Sequence, residues 1–298
     1  MRRSSQLRRV HTKGTRGSAA QRFDRLADCP VLHPGLSLRV PLTKDTLLPL
    51  VCWHPTWKTK VIGAFLRQLG GSFIDVGANI GQTLMDYVYS GAACDYWALE
   101  PNPDCLRVLH SIIERNRIAN TVILDIGLSD VDAPGTLFRE PGFPTDTRGT
   151  ITPAIRPARK YETTEIQLKP FDRVRREKHI TELSLVKLDI EGAELPVLRG
   201  MHETLAADRP PVLCEVLLRD KEADAARYRD DCEEIVRFLS EVGYDAYHIS
   251  KGPRLSVPDS PVTAFPLKVW TRLRREQCDY IFLPRELAGE YRRIVNGR

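Results

Sequence analysis

Short apolar runs alternate with longer amphipathic segments along most of the chain. The apolar runs predict strands at Ser72–Val76, Tyr96–Glu100, Thr121–Asp125, Leu183–Asp189, Val212–Val216, Tyr244–Ile249 and Tyr280–Leu283. The segments between them place apolar residues at helical spacing, as in Gly81–Tyr89 and in the stretch from Pro103 to Arg117. Alternating strands and helices of this length predict an α/β fold with a mostly parallel, doubly wound sheet.

Three segments modify this simple alternation. Residues 24–70 form a lead-in that ends in a helical pattern at Val61–Leu69. Residues 134–170 form an insertion, in which Gly135–Arg139 and Glu165–Lys169 predict a pair of strands around a stretch rich in Pro, Gly and Thr. After Asp189, the leucines at 195, 198 and 205 predict a helix with one apolar face. We expect residues 24–298 to form a single domain.

The first two strands end in the residue pattern of a nucleotide-type cofactor site. Asp75 lies near the end of the first strand, Gly77 and Gly81 follow in the turn, and Glu100 ends the second strand. Asn79 occupies the position where a dinucleotide fingerprint has its second glycine, which disfavours a pyrophosphate. S-adenosylmethionine suits the pattern better, with Asp75 near its ammonium group and Glu100 on its ribose hydroxyls. In the alternative, the glycines merely end a strand and admit a close helix.

Three blocks of the chain resemble the FkbM-type family of S-adenosylmethionine-dependent methyltransferases. They are FIDVGANIGQT at Phe73–Thr83, LEPNP at Leu99–Pro103 with the later Gly127–Asp130, and LVKLDIEGAELPVLRG at Leu185–Gly200. The resemblance implies a Rossmann-like class I methyltransferase fold, a seven-stranded sheet with an antiparallel last strand, and S-adenosylmethionine as cofactor. It places Asn102 beside Glu100 in the cofactor site. Asp125, at the end of the third strand, is a further candidate for contact with the adenine.

The end of the fourth strand carries the candidate catalytic residues Lys187, Asp189 and Glu191. Lys187 and Asp189 share one face of the strand, and a lysine in so apolar a strand needs an ionic partner. Asp189 is the first candidate to orient the acceptor or remove its proton, and Glu191 is the second. In the alternative, Asp189 and Glu191 cap the following helix. Glu215 is a candidate to line the acceptor pocket or to join Asp189 around a divalent cation, but without a third ligand we predict no metal.

The insertion is expected to cover the acceptor. It carries more positive than negative side chains, namely Arg139, Arg148, Arg156, Arg159 and Lys160 against Glu140 and Asp146. Such a loop favours an anionic or polyhydroxyl acceptor, and we expect O-methylation of a saccharide or another small molecule. In the alternative, it is an exposed loop with solvated charges.

Charge is concentrated at one end of the chain. The net charge of +5 arises because residues 1–23 hold seven Arg or Lys and no acid, leaving 37 basic and 39 acidic residues elsewhere. This tail is expected to be disordered and solvated, although it could bind nucleic acid or anionic lipid. Nucleic-acid binding is therefore an alternative function, and an NAD-dependent oxidoreductase is another.

The remaining composition is ordinary for a soluble α/β protein. The chain has 42% hydrophobic residues, no long apolar segment and no pattern of a secretory signal, so we expect a cytoplasmic protein without a membrane span. Its seven cysteines form no C-x-x-C pair, which favours reduced thiols. Cys29, His33, Cys52 and His54 match no common zinc spacing.

Overall fold

The computed structural model describes residues 28–43, 46–153, 159–216, 225–251, 255–265 and 278–297. The basic tail predicted at residues 1–23 and Arg156 lie outside these residues. The strands are β1 (Asp28–Pro30), β2 (Arg39–Pro41), β3 (Ser72–Val76), β4 (Tyr96–Leu99), β5 (Thr121–Leu124), β6 (Gly127–Leu128), β7 (Ala133–Arg139), β8 (Glu162–Lys169), β9 (Leu183–Leu188), β10 (Val212–Glu215), β11 (Tyr244–His248), β12 (Ser250–Lys251), β13 (Leu255–Ser256) and β14 (Asp279–Pro284). The helices are α1, a π-helical turn (Leu47–Val51), α2 (Trp57–Leu69), α3 (Gln82–Ser90), α4 (Pro103–Asn116), α5 (Phe171–Lys178), α6 (Glu194–Arg199), α7 (His202–Asp208), α8 (Ala225–Glu241) and α9 (Ala288–Asn296).

A seven-stranded sheet forms the centre of the fold, in the order β11-β14-β10-β9-β3-β4-β5. The pairs β3·β4, β4·β5, β3·β9 and β9·β10 are parallel, whereas β14 is antiparallel to both of its neighbours. The prediction of a mostly parallel sheet with an antiparallel last strand is thus confirmed. The chain leaves β3 toward β4 on one side and later returns to β9 on the other. This reversal opens a crevice at the carboxyl ends of β3 and β9.

Each face of the sheet packs into its own apolar core. On one face, Phe73, Leu185 and Ile281 belong to a core that includes side chains of α2, α3, α4 and α9. On the other face, Ile74 and Phe282 belong to a core that includes side chains of α5, α6, α7 and α8. Adjacent strand residues enter different cores because side chains alternate across a sheet. Helices on both faces confirm the doubly wound α/β prediction.

The insertion folds as a small sheet in the order β6-β8-β7. Strands β7 and β8 are antiparallel over seven residue pairs, from Ala133↔Leu168 to Arg139↔Glu162, which confirms the predicted strand pair. In the described part of the chain, no helix is both long and apolar enough to cross a membrane.

The helix predicted after Asp189 is two helices, α6 and α7, with a break at Gly200. A side chain at Gly200 would begin 2.2 Å from the carbonyl oxygen of Ser129, so the backbone approaches too closely for a larger residue. Asp172 then accepts hydrogen bonds from the backbone amides of Glu203 and Thr204 at the start of α7. The apolar spacing of the leucines is right, but the break depends on contacts with distant segments.

Gly77 and Gly91 provide a matched pair for testing how closely the cofactor loop approaches β9. Both have φ in the left-handed region, at 76° and 66°. An added Cβ at Gly77 would lie 2.1 Å from the carbonyl oxygen of Asp189, whereas at Gly91 nothing lies within 4 Å. We expect Gly91→Ala to lower the free energy of unfolding by roughly 1 kcal/mol, and Gly77→Ala to lower it by a further ~1–3 kcal/mol through steric overlap. Equal losses in urea denaturation would contradict the close approach.

Candidate active site

A cavity of about 340 Å³ lies in the crevice at the carboxyl ends of β3, β4 and β9. Its lining includes Glu100 on one side and Asp189 on another. The ends of parallel strands meet at one edge of the sheet, which is why residues far apart in sequence converge here. The cavity is in the size range of small-molecule sites.

The loop after β3 forms one wall of the cavity through Gly77 and Asn79. Gly77 must be glycine because of its positive φ and its closeness to the Asp189 carbonyl. Asn79 has φ of 48°, a conformation that asparagine tolerates better than most residues. Gly81 does not line the cavity; with φ of 99° it begins α3. Of the three predicted loop residues, two therefore face the cavity and one positions the helix.

Glu100 is a buried carboxylate at the end of β4, 5% exposed, and it lines the cavity. Its two oxygens accept hydrogen bonds from the backbone amides of Asn79 (2.8 Å) and Asn102 (2.7 Å). Burial raises its pKa to about 7, despite these two hydrogen bonds. Each oxygen has a second lone pair, so the carboxylate can accept a pair of hydroxyl groups.

The insertion covers the Glu100 end of the cavity. The side-chain amide of Asn102 donates to the carbonyl oxygen of Pro144 (2.9 Å), and the side-chain amide of Asn79 donates to the carbonyl oxygen of Asp146 (3.4 Å). Leu137 and Ile151 of the insertion also line the cavity. Asn102 has a second task, because its Oδ1 accepts from the amide of Asp104 and caps α4.

The basic side chains of the insertion do not face the cavity as expected. Arg139 turns toward Asp104 (3.3 Å), and Arg148 is paired with Glu140. Arg159 is 3.8 Å from the same glutamate. Among the described residues 133–153 and 159–169, those that line the cavity are Leu137, Asp146, Thr147, Gly149 and Ile151. The insertion covers part of the cavity, and its cover of the acceptor stays a prediction. The positive lining expected of it is wrong for the residues described.

Asp125 is exposed, and its side chain is not part of the cavity wall. The following residues, Ile126 and Gly127, do line the cavity. The backbone beyond β5, rather than the carboxylate, is therefore the part of this segment that can meet a bound ring.

Asp75 and Lys187 form a buried ion pair below the cavity. Lys187 Nζ lies 3.0 Å from Asp75 Oδ1, and the two residues are 4% and 0% exposed. Tyr96 donates to Asp75 Oδ2 (2.5 Å), and Lys187 donates to the carbonyl oxygen of Gly77 (3.0 Å). Lys187 therefore has the ionic partner that the sequence demands. Lys187 lines the cavity but Asp75 does not, so the geometry favours an indirect role for Asp75, and its direct contact with a cofactor stays a prediction.

Asp189 is a carboxylate of the cavity wall held between two ammonium groups. Its Oδ2 lies 3.4 Å from Lys58 Nζ and 3.7 Å from Lys187 Nζ. Burial alone would raise its pKa, but the charges of Lys187 and Lys58 lower the pKa of Asp189 to about 2. Asp189 is therefore ionised at neutral pH, able to accept a hydrogen bond and only weakly basic by itself.

Glu191 lines the cavity in a turn, with φ of 57°. Thr150 of the insertion donates to its backbone carbonyl (2.8 Å), which ties the turn to the cover. The N-cap of α6 is Ala193, and the helix start carries no side-chain cap. The alternative in which Asp189 and Glu191 cap this helix is therefore not observed.

The lead-in contributes residues that sequence reasoning missed, because α2 begins at Trp57 and not near Val61. Thr56 and Thr59 form a reciprocal capping box at its start, a signal that could have placed the helix correctly. This start brings Trp57 and Lys58 into the cavity wall, together with Trp53.

A further buried carboxylate, Asp86 of α3, also lines the cavity and was not predicted. It accepts a hydrogen bond from Thr59 Oγ1 (2.5 Å). Burial raises the pKa of Asp86 to about 6, although this hydrogen bond opposes the rise. The start of α2 thus binds to α3 through a polar contact at the site.

The described residues contain no cluster of three His, Cys, Asp or Glu side chains arranged to hold a metal ion. Cys29, His33, Cys52 and His54 are among these residues. All seven cysteines are free thiols.

A protein-family model described as the methyltransferase FkbM domain matches residues 75–246, more than half of the chain. Among solved structures, the chain is similar to methyltransferase FkbM from Methylobacillus flagellatus KT, with 17% identity, 89% of this chain and 58% of that one covered, and a TM-score of 0.41. It thus spans less than two thirds of that protein's length. A search of curated proteins found no match.

Two further solved structures are similar to the chain. One is the precorrin-6y C5,15-methyltransferase of Geobacter metallireducens GS-15, with 10% identity, coverage of 75% and 84%, and a TM-score of 0.35. The other is M. jannaschii TYW2 in complex with AdoMet, with 13% identity, coverage of 87% and 85%, and a TM-score of 0.40. Since these scores lie below 0.5, we base the function on the family match and the site.

Replacing Lys187 by Met should destabilise the protein strongly, because it leaves the Asp75 charge buried without its cation. We expect a loss of about 3–5 kcal/mol in the free energy of unfolding, with partial recovery in the double variant Asp75→Asn/Lys187→Met. Lys169→Met is the matched control, since its ion pair with Glu177 is solvent-accessible, and it should cost only about 0–1 kcal/mol. If both single variants unfold at the same urea concentration, the ion pair between Asp75 and Lys187 does not stabilise the fold as a buried pair would.

Proposed function

Because this chain belongs to the family of FkbM methyltransferase domains, we propose that it transfers a methyl group from S-adenosylmethionine to a hydroxyl oxygen of a saccharide or another small-molecule acceptor. The observation that carries the proposal is the arrangement of two carboxylates, the buried Glu100 and the half-buried Asp189, in the wall of one cavity. The family implies S-adenosylmethionine as the cofactor, and it lends no support to a dinucleotide-dependent oxidoreductase or a nucleic-acid protein.

The Glu100 end has the features that an adenosine requires. Glu100 can accept the two ribose hydroxyls, and the apolar side chains of Leu99, Ile126 and Leu128 line the same cavity for a ring. Asn79 and Asn102 hold the carboxylate in place through their backbone amides. Gly77 and the buried carboxylate of Asp86 lie along the wall toward Asp189, where the amino-acid part of the cofactor would extend.

The acceptor is assigned to the Asp189 end. Trp53 and Trp57 contribute two indole rings to this cavity, and such rings pack against the apolar faces of sugars. Asp189 is ionised and can accept a hydrogen bond from an acceptor hydroxyl, which orients its oxygen. Glu191, in the neighbouring turn, remains the second candidate for contact with the acceptor. Lys187 positions Asp189 and the Gly77 carbonyl.

The bound cofactor supplies an electrophilic methyl group on a sulfonium. The chain must align the acceptor oxygen with that methyl group, exclude water and receive the hydroxyl proton. Asp189 serves the first task, and the cover made by Leu137 and Ile151 serves the second. These roles of Asp189 and of the cover are the basis for proposing a hydroxyl oxygen as the atom that receives the methyl group.

The first test is calorimetric titration with S-adenosylhomocysteine and, separately, with NADH, followed by transfer of tritiated methyl from S-adenosylmethionine to a panel of sugars and small alcohols. We expect saturable binding of S-adenosylhomocysteine only. Binding of NADH alone would overturn the assignment. Label transferred to amines but not to hydroxyls would keep the methyltransferase and reject oxygen as the acceptor atom.

Asp189→Asn should leave the affinity for S-adenosylhomocysteine largely unchanged and lower turnover by about a hundredfold, because the acceptor loses its anionic partner. Asp95→Asn is the control, since Asp95 is exposed before β4. Unchanged turnover in Asp189→Asn would remove this residue from the acceptor site.

Binding of S-adenosylhomocysteine should strengthen as the pH rises through about 7, because Glu100, whose pKa is raised to about 7, accepts ribose hydroxyls best when ionised. Glu100→Gln should weaken binding by about tenfold to a hundredfold and remove most of this pH dependence. Glu194→Gln is a matched control, because burial also raises the pKa of Glu194 to about 7 but its side chain does not line the cavity. A pH dependence that persists in Glu100→Gln and disappears in Glu194→Gln would contradict the assignment.

A further inference from the structure

A row of charged side chains crosses the central sheet near its carboxyl edge. In the register of the sheet, Asp75 of β3 lies opposite Lys187 of β9, and Glu215 of β10 lies opposite Asp279 of β14. Since Leu188 pairs with Cys214, Asp189 comes beside Glu215 one residue later. Paired residues of neighbouring strands point to the same face, so these five side chains form one line, which we call the polar row.

The polar row contains more carboxylates than nearby cations. Lys187 pairs with Asp75, Lys58 reaches Asp189, and Lys251 of β12 pairs with Asp279. In the described part of the chain, Glu215 has no lysine or arginine within ion-pair distance. The strand register instead places its side chain beside that of Asp189. Two carboxylates that lie side by side in a partly buried place share a proton, because two adjacent negative charges repel each other.

The surroundings of Glu215 place that proton on its carboxyl group. The negative charge of Asp189 and then burial raise the pKa of Glu215 to about 8. Asp279 and Glu191 act in the same direction, and Lys58 opposes them. Lys251 neutralises Asp279 from the far side. Asp189, held between Lys58 and Lys187, carries the charge of the pair.

We propose that Glu215 is the proton-relay partner of Asp189: the proton of the acceptor hydroxyl passes through Asp189 to Glu215 during methyl transfer. This inference rests on the proposed function. In the step, the acceptor O–H bond breaks and its proton joins the carboxylate pair. A new C–O bond forms, and the S–C bond breaks with its electron pair remaining on sulfur. Glu215 then releases the proton to solvent, and the pair can accept another.

The relay resolves a difficulty at Asp189. A carboxylate between two lysines is a good hydrogen-bond acceptor but holds a proton poorly. Glu215, which lies beside Asp189 in the polar row, binds a proton well when both carboxylates are ionised. Asp189 therefore orients the hydroxyl, while Glu215 supplies the proton affinity, a division of roles that neither residue achieves alone.

The first experiment is a carboxyl NMR titration of the full chain, labelled with ¹³C at the glutamate side-chain carboxyl carbons. The signal missing from Glu215→Gln identifies Glu215, and we expect its midpoint near pH 8. Asp189→Asn should lower that midpoint, because it removes the nearest negative charge. A midpoint near the ordinary value of about 4.3 overturns the relay. The Asp189→Asn spectrum decides the question even if Glu215→Gln folds poorly.

The second experiment is the pH dependence of methyl transfer, measured with the best hydroxyl acceptor from the panel and with tritiated S-adenosylmethionine at saturating concentration, so that the pH dependence of cofactor binding does not contribute. Below about pH 8, the wild-type rate should rise roughly tenfold per pH unit, since the ionised pair is the reactive form. Glu215→Gln should bind S-adenosylhomocysteine normally but lose this rise. Glu241→Gln, at an exposed position of α8, should keep it.

The outcomes separate the two proposals. A rise that persists unchanged in Glu215→Gln overturns the relay while hydroxyl methylation stands. If S-adenosylhomocysteine binds but no hydroxyl is methylated, the proposed oxygen acceptor fails and the relay fails with it. The NMR titration then still reports whether Asp189 and Glu215 share a proton.

Discussion

The buried ion pair between Asp75 and Lys187 is the interaction on which the rest of the site depends. One ammonium group contacts the Asp75 carboxylate, the Gly77 carbonyl oxygen and, at a longer distance, Asp189. These groups belong to two neighbouring strands and the loops that follow them. An unpaired charge at this depth would be very costly, so each member holds the others in position. The cofactor loop and the candidate acceptor carboxylate consequently share one support.

Strand alternation explains why so many charges lie in a core. The face that carries Phe73, Leu185 and Ile281 is apolar in the middle of the sheet and becomes charged toward its carboxyl edge, where α2 begins. The start of that helix covers the charged edge with Trp57 and Lys58, so water is partly excluded. Electrostatic interactions are stronger in such surroundings than in water. The same burial that stabilises the ion pairs also makes the protonation of neighbouring carboxylates interdependent.

Local patterns predicted the sheet well and the site in part. The strand at Ser72–Val76 was predicted with its exact ends, and Glu100, Asp189 and Glu191 do meet in one cavity, because strand ends determine their places. Lys58 falls outside the predicted site because the apolar pattern alone places the start of the helix near Val61, whereas the capping threonines start it at Trp57. The partnership of Glu215 with Asp189 depends on the register of strands distant in sequence, which no local pattern contains. Burial of Asp75 likewise depends on Tyr96 and Lys187, which come from other strands.

The close approach of Gly77 to the Asp189 carbonyl has a thermodynamic consequence. The amide of Asp189 also donates to the carbonyl oxygen of Val76, so the segment that would receive the cofactor and the segment that would receive the acceptor touch through their backbones. Because the two backbones are in contact, a substitution that separated them would change both walls of the cavity at once. If one ligand alters the spacing of the two segments and so the affinity for the other, thermodynamic linkage requires the second to change the affinity for the first by the same factor.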